Sequence, residues 1–169
     1  GLNFLLEAVA EIREKQPIQL TVIGQPKKDG IIENLVARLG VSDIVRFTGR
    51  IENEEFADYY AKSTIAVVPS LYEGFGIPAA EAMACGVPLI STSGGALPEV
   101  VGEAGMIVPP ADAKALAGAI QHLLQSPEER KKYARAGLTR VNSVFSWKKA
   151  AQEVVEVYRE AIHDYRRSS

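Results

Sequence analysis

Short runs of consecutive apolar, largely β-branched residues alternate along this chain with longer stretches whose apolar positions recur every three or four residues. The runs are IQLTVIG (18–24), DIVRFTG (43–49), TIAVVPS (64–70), VPLIST (87–92) and MIVPP (106–110). Each reads as a strand of the buried type, covered on both faces as parallel strands are. The periodic stretches read as amphipathic helices. LNFLLEAVAEIREKQ (2–16) puts Leu2, Leu5, Val9 and Ile12 on one face, and residues 111–126 do the same with Leu116, Ile120, Leu123 and Leu124. Further helices are expected over 31–40 and 53–63, from about Pro78 through the EAMAC segment, as a short helix within 93–105, and over 127–141 and 146–167. Their ends carry the usual signals: Pro17 stops the first and Gly40 closes the second. Asn53, Asp112 and Ser146 stand at N-cap positions, and Pro127 opens a helix.

Five buried strands separated by amphipathic helices predict an α/β fold, a doubly wound, Rossmann-like parallel sheet with helices on both faces. With no internal repeat or low-complexity linker, residues 1–169 read as one domain, its terminal helices covering about 128–169. Ligands of such sheets bind at the carboxyl ends of the strands. Three turns are expected there: Gly49-Arg50, Glu73-Gly74-Phe75-Gly76 and Ser93-Gly94-Gly95.

Composition narrows the function without naming it. A net charge of −2 over 169 residues, with 24% charged and 47% hydrophobic positions, carries no basic footprint for nucleic acid. No apolar run reaches the roughly 18 residues of a membrane span and no signal-peptide pattern opens the chain, so a cytoplasmic protein is expected. Cys85, the single cysteine, excludes an internal disulfide framework and reads as a packing residue rather than a nucleophile. His122 and His163 lie on separate helices with no metal-ligand spacing around them, and no metal site is expected.

The chemistry concentrates in PSLYEGFGIPAAEAMACGVPLIS, residues 69–91. Pro78 suits the first turn of a helix, which leaves the N–H groups of Phe75, Gly76 and Ile77 outside the helical ladder. Such an array, with the helix dipole behind it, can hold a phosphate. Glu73 stands in the loop, either solvated or aimed at ligand hydroxyls. Glu81 lies about one turn inside a helix of small and apolar residues that reads as buried, where a lone carboxylate needs a partner. Arg50 reads as a surface or a ligand-face arginine, and Phe75 as either packing under the loop or lining a sugar pocket. The Gln25–Gly30 turn, lacking a GK[ST] sequence, reads as solvated. By themselves these residues describe a site for phosphate and hydroxyl groups.

The same stretch, continued through STSGGALPEVV, resembles the signature of retaining glycosyltransferases of family 4, which have the two-domain GT-B architecture. The likeness rests on Glu73 and Glu81 in the Glu-x7-Glu pattern, on GFG, on the EAMACG helix and on the SGG…PE turn, and it extends to FTGRI (47–51), VPPAD and FSW (145–147). It implies a hexosyltransferase with a UDP- or GDP-sugar donor, no cofactor and no required metal. Glu73 would be the catalytic-site carboxylate that holds the donor sugar together with Gly74, Phe75 and Gly76. Ile77 would meet the diphosphate, Glu81 the ribose, and Arg50 with Ile51 the base. The resemblance also implies that this is the C-terminal, donor-binding half, with Gly1 as the glycine of a Lys-Gly pair. The first strand, two phosphate-neutralising cations and the acceptor-binding N-terminal domain are then expected outside this sequence. Each missing charge-assisted contact is worth roughly 1.5–3 kcal/mol, so the chain alone is expected to bind nucleotide weakly and transfer nothing. The face left open is expected to favour association, and any membrane contact to come through the missing domain. The alternatives are a GT-B epimerase or phosphorylase, and a non-catalytic nucleotide-binding or scaffold module.

Overall fold

The computed structural model describes residues 1–28 and 30–168; of Asn53, Glu54 and Ser168 only the backbone is described. The five apolar runs form short strands: β1 (Leu20–Val22), β2 (Val45–Phe47), β3 (Ala66–Val68), β4 (Leu89–Thr92) and β5 (Met106–Val108). Between and around them lie α1 (Leu2–Arg13), α2 (Ile31–Arg38), α3 (Asn53–Ala61), α4 (Ile77–Ala84), α5 (Leu97–Val101), α6 (Ala113–Gln125), α7 (Pro127–Val144) and α8 (Trp147–Ser168). Every strand pairing is parallel.

The strands make two ladders, β1-β2 and β3-β4-β5. In the doubly wound order the first strand sits between the second and the fourth. The observed grouping, two strands and then three, matches the strands that flank that position. Side chains span the interruption. Ile18, Leu20 and Ile44 from one ladder and Ile65, Val67, Ile90 and Val108 from the other join a single apolar cluster with α1 and α6. On the opposite face of the three-stranded ladder, Ala79, Ala82 and Met83 of α4 pack with Leu97, Val100 and Val101 of α5.

The capping signals act mostly as expected. Val41 N–H donates to Val36 O (3.2 Å) across Gly40, Asp112 Oδ1 accepts from Ala115 N–H (2.9 Å), and Ser146 Oγ from Lys149 N–H (3.2 Å). Helix α3 is capped by Glu52, whose N–H donates to Glu55 Oε2 at 2.9 Å. The expected cap, Asn53, is instead the first helical residue, and its side chain lies outside the described residues.

Helix α1 sets the polarity of the molecule. Its start abuts the loop after β3, where a Cβ on Gly1 would lie 1.6 Å from Pro69 O. Near its other end Arg13 bonds Gly40 O and pairs with Asp43 at 2.8 Å, just ahead of β2. The carboxyl end of β3 and the amino end of β2 thus lie at opposite ends of α1, which leaves the carboxyl ends of both ladders on one side. No helix among the described residues is long and apolar enough to cross a membrane.

Candidate functional site at the carboxyl ends of the strands

Glu73 sits in the loop between β3 and α4, half-buried, with its side chain and main chain both held. Ser70 Oγ donates to Glu73 Oε1 at 2.8 Å, and Ala96 N–H donates to Glu73 O at 2.9 Å. The turn after β4 lies backbone against backbone on this loop. A Cβ at Gly94 would meet Leu71 O at 2.5 Å, and one at Gly95 would meet Glu73 O at 2.2 Å. Two of the three turns expected on the ligand face are therefore one packed unit.

Gly76 caps α4 with φ +96°, and a Cβ there would approach Leu97 Cδ2 to 2.7 Å. The helix's first backbone bonds run from Ala79 and Ala80 to Gly76 O (3.0 and 3.2 Å). The N–H groups of Phe75, Gly76 and Ile77 take no protein acceptor among the described residues, as the position of Pro78 predicts. Gly74, Phe75 and Ile77 are exposed, and Ile77 retains 61% of its surface. Phe75 meets Phe145 edge to face (centroids 5.6 Å apart, planes at 81°) while 48% of it stays open. One ring thus both packs and faces solvent.

Glu81 lies on α4, half-buried, and burial raises its carboxyl above the usual range. The helix is covered on one face only: Ala79, Ala82 and Met83 are buried, whereas Ala84 and Cys85 are exposed. This corrects the expectation of a wholly buried helix with a packed Cys85, because small residues permit close packing without requiring it on every side. Partial burial, with the Glu81 charge added, pushes the Cys85 thiol up, away from a reactive thiolate. Tyr60 of α3 donates to Pro78 O at 3.3 Å. Its phenol is pushed up to about 12 by burial, then by the charges of Glu81 and Cys85.

Arg50 and Ile51 follow β2, Arg50 exposed and Ile51 half-buried. An antiparallel bridge from Gly49 to Gly24 ties the ends of β1 and β2 behind them, and α3, which they lead into, is the helix bonded to Pro78. They share the carboxyl-end face with residues 73–81, and among the described residues no hydrogen bond or ion pair joins the two. His122 pairs with the half-buried Glu129 and His163 with the exposed Asp164, and no group of three metal-ligating side chains occurs among the described residues. A cleft lined by Arg13, Gln16, Pro17 and Ile44 lies at the opposite end of the strands and contains none of the predicted residues.

Sequence reasoning missed Ser70, Thr92 and Tyr60. For Ser70 the Ser-x-x-Glu spacing is a usable signal, because a hydroxyl three residues before a carboxylate is within its reach. Thr92 bonds Ser70 O across 22 positions, and no local pattern announces that.

In chemical terms the face offers one fixed carboxylate beside unpaired N–H groups at a helix start, with a second carboxylate on that helix. These are acceptors for hydroxyls and donors for anionic oxygens. The sequence family described as glycosyl transferases group 1 matches residues 1–126. The MMP alpha-(1->4)-mannosyltransferase of Mycolicibacterium hassiacum is 42% identical over 96% of this chain, and the D-inositol 3-phosphate glycosyltransferase of Streptomyces bingchenggensis 36% over 98%. The chain spans 40% and 39% of their lengths. Among solved structures, sucrose-phosphate synthase from Thermosynechococcus elongatus is 34% identical with a TM-score of 0.82, over 97% of this chain and 44% of that one. Anabaena Alr3699/HepE in complex with UDP shares the fold (TM-score 0.83, 21% identity, 95% of this chain and 45% of that one). The C-terminal domain of a glycosyl transferase group 1 family protein from Francisella tularensis is 30% identical with a TM-score of 0.78, over 87% of this chain and 80% of that domain. The likeness reaches beyond fold to sequence across most of the chain, which belongs to the glycosyl transferases group 1 family.

Proposed function

We propose that this chain is the donor-binding part of a retaining glycosyltransferase of family 4, which passes a hexosyl group from a UDP- or GDP-sugar to an acceptor. The observation that carries the reading is the fixed Glu73 carboxylate beside the unpaired N–H groups of Phe75, Gly76 and Ile77. Glu73 and the backbone of residues 74–76 hold the sugar, while the N–H groups and the α4 dipole meet the diphosphate. Glu81 accepts the ribose hydroxyls, which gives its half-buried carboxylate the partner it needs. Arg50 and Ile51 border the base. The bond from the anomeric carbon to phosphate breaks through an oxocarbenium-like state, and the departing charge is stabilised by donors already in place. In this reading Glu73 orients the sugar and attacks nothing, and no metal is required. The acceptor is held by parts of the protein beyond this chain. UDP-glucose and UDP, bound in structures of Anabaena Alr3699/HepE, are the donor and the nucleotide to test first.

Calorimetric titration of UDP, GDP and ADP against the protein that contains this chain tests the proposal. Saturable binding of UDP or GDP, competed by the matching nucleotide-sugar, is expected. A folded protein that binds none of the three would favour a scaffold role and overturn it.

A further inference from the structure

We propose that Ser70 and Thr92 are positioning residues that aim the Glu73 carboxylate at the donor sugar. The inference rests on the role given to Glu73 above and adds what holds it. A carboxylate in an open loop samples several rotamers, and a hydroxyl donating to one of its oxygens selects among them. Ser70 Oγ does so at Oε1, 2.8 Å away, and Oε2 has no protein donor among the described residues. With Oε1 committed, Oε2 is the acceptor left for a ligand hydroxyl.

Ser70 is itself held from the neighbouring strand. Thr92 ends β4 and has no exposed surface. Its Oγ1 donates to Ser70 O and accepts from Gly94 N–H at 3.3 Å, so the buried hydroxyl is used in both directions. Gly94 begins the turn that presses on Leu71, and Ala96 in the same turn bonds Glu73 O. One buried threonine therefore fixes the loop that carries the side chain, and Ser70 fixes the side chain itself. The Ser70 hydroxyl reaches neither the N–H groups at the start of α4 nor Glu81, where the nucleotide contacts are proposed, so its loss falls on the sugar rather than on the nucleotide.

The test compares Ser70→Ala, Ser70→Thr, Thr92→Val, Thr92→Ser, Glu73→Ala and the Ser70→Ala/Glu73→Ala double variant in the protein that contains this chain. Ser70→Ala is expected to lower kcat about ten- to a hundredfold, as a misaimed group does, while nucleoside-diphosphate Kd stays within about twofold. Ser70→Thr, which keeps the hydroxyl, should recover much of the rate, and Thr92→Val should lose it where Thr92→Ser does not. In the Glu73→Ala background, removing Ser70 should cost nothing further, because it acts through that carboxylate. Unchanged kcat in Ser70→Ala would overturn the inference, as would additive losses in the double variant or a fall in kcat matched by an equal loss of nucleotide affinity. If Thr92→Val does not fold, the Ser70 series decides. Wild-type protein with neither nucleotide binding nor transfer would sink the proposed function as well, whereas an active wild type with an indifferent Ser70 sinks this inference alone.

Discussion

Gly95 shows how much of the site depends on a missing side chain. Its φ of +65° lies in the left-handed region, and a Cβ would stand 2.2 Å from Glu73 O, against backbone that cannot step aside. Gly95→Ala is expected to cost at least about 2 kcal/mol from strain and displacement together, measured by urea unfolding. The same substitution at Gly118, whose Cβ would meet nothing within 4 Å on α6, should be neutral or stabilising. Glu73, Phe75 and Gly76 were legible as a group because proline, glycines and acids lie close together in sequence and their meaning is local. Ser91 and Thr92, fully buried at the end of an apolar run, look in sequence like the fraying end of a strand.

At the scale of elements, α4 links the parts of the site. It begins at the unpaired N–H groups, carries Glu81, and is held by Tyr60 from α3 and by α7, where a Cβ on Gly137 would press on Met83 at 3.1 Å. The raised carboxyl of Glu81 carries a pH signature. Because its folded pKa lies above the unfolded one, its favourable contribution is fully present below the unfolded pKa and lost as pH rises through the folded value. The ionised carboxylate therefore opposes folding at neutral pH. Glu81→Gln should melt higher than wild type near pH 7.5, and the difference should close toward about pH 4, where both side chains are neutral. Differential scanning calorimetry at the two pH values checks this, and an equal gap at both would contradict it. Helix α4 was legible from Pro78 and its run of small residues, but which of its faces is covered was not. A surface made largely of alanines has no clear amphipathic stripe to read, and only the positions of α5 and α7 leave Ala84 and Cys85 open.

Across the whole molecule, helices rather than strand pairing join the two ladders through α1 and α6. Helix α8 stands apart from that body. Each residue from Trp147 to Arg167 is exposed, and Trp147 keeps 92% of its surface and Tyr165 74%. Ending the chain after Ser146 should therefore change unfolding free energy by less than about 0.5 kcal/mol. The truncated chain should also scatter less light at high concentration, since the apolar side chains of α8 promote association. A large drop in stability on truncation would show that α8 packs on the body after all.

Sequence by itself determined the number and type of the elements, the parallel pairing and the carboxyl-end placement of the turns that make the candidate site. Those properties follow from periodicity, from proline and glycine punctuation and from the steric rules for layered α/β chains. Tertiary structure alone decided that the Gly94-Gly95 turn and the Glu73 loop form one unit, that Thr92 and Ser70 hold the carboxylate, and that Cys85 is exposed. Each depends on atoms brought together across many positions, where the deciding quantity is the closeness of two backbones. Residue type restricts that distance, and only the packed chain sets it.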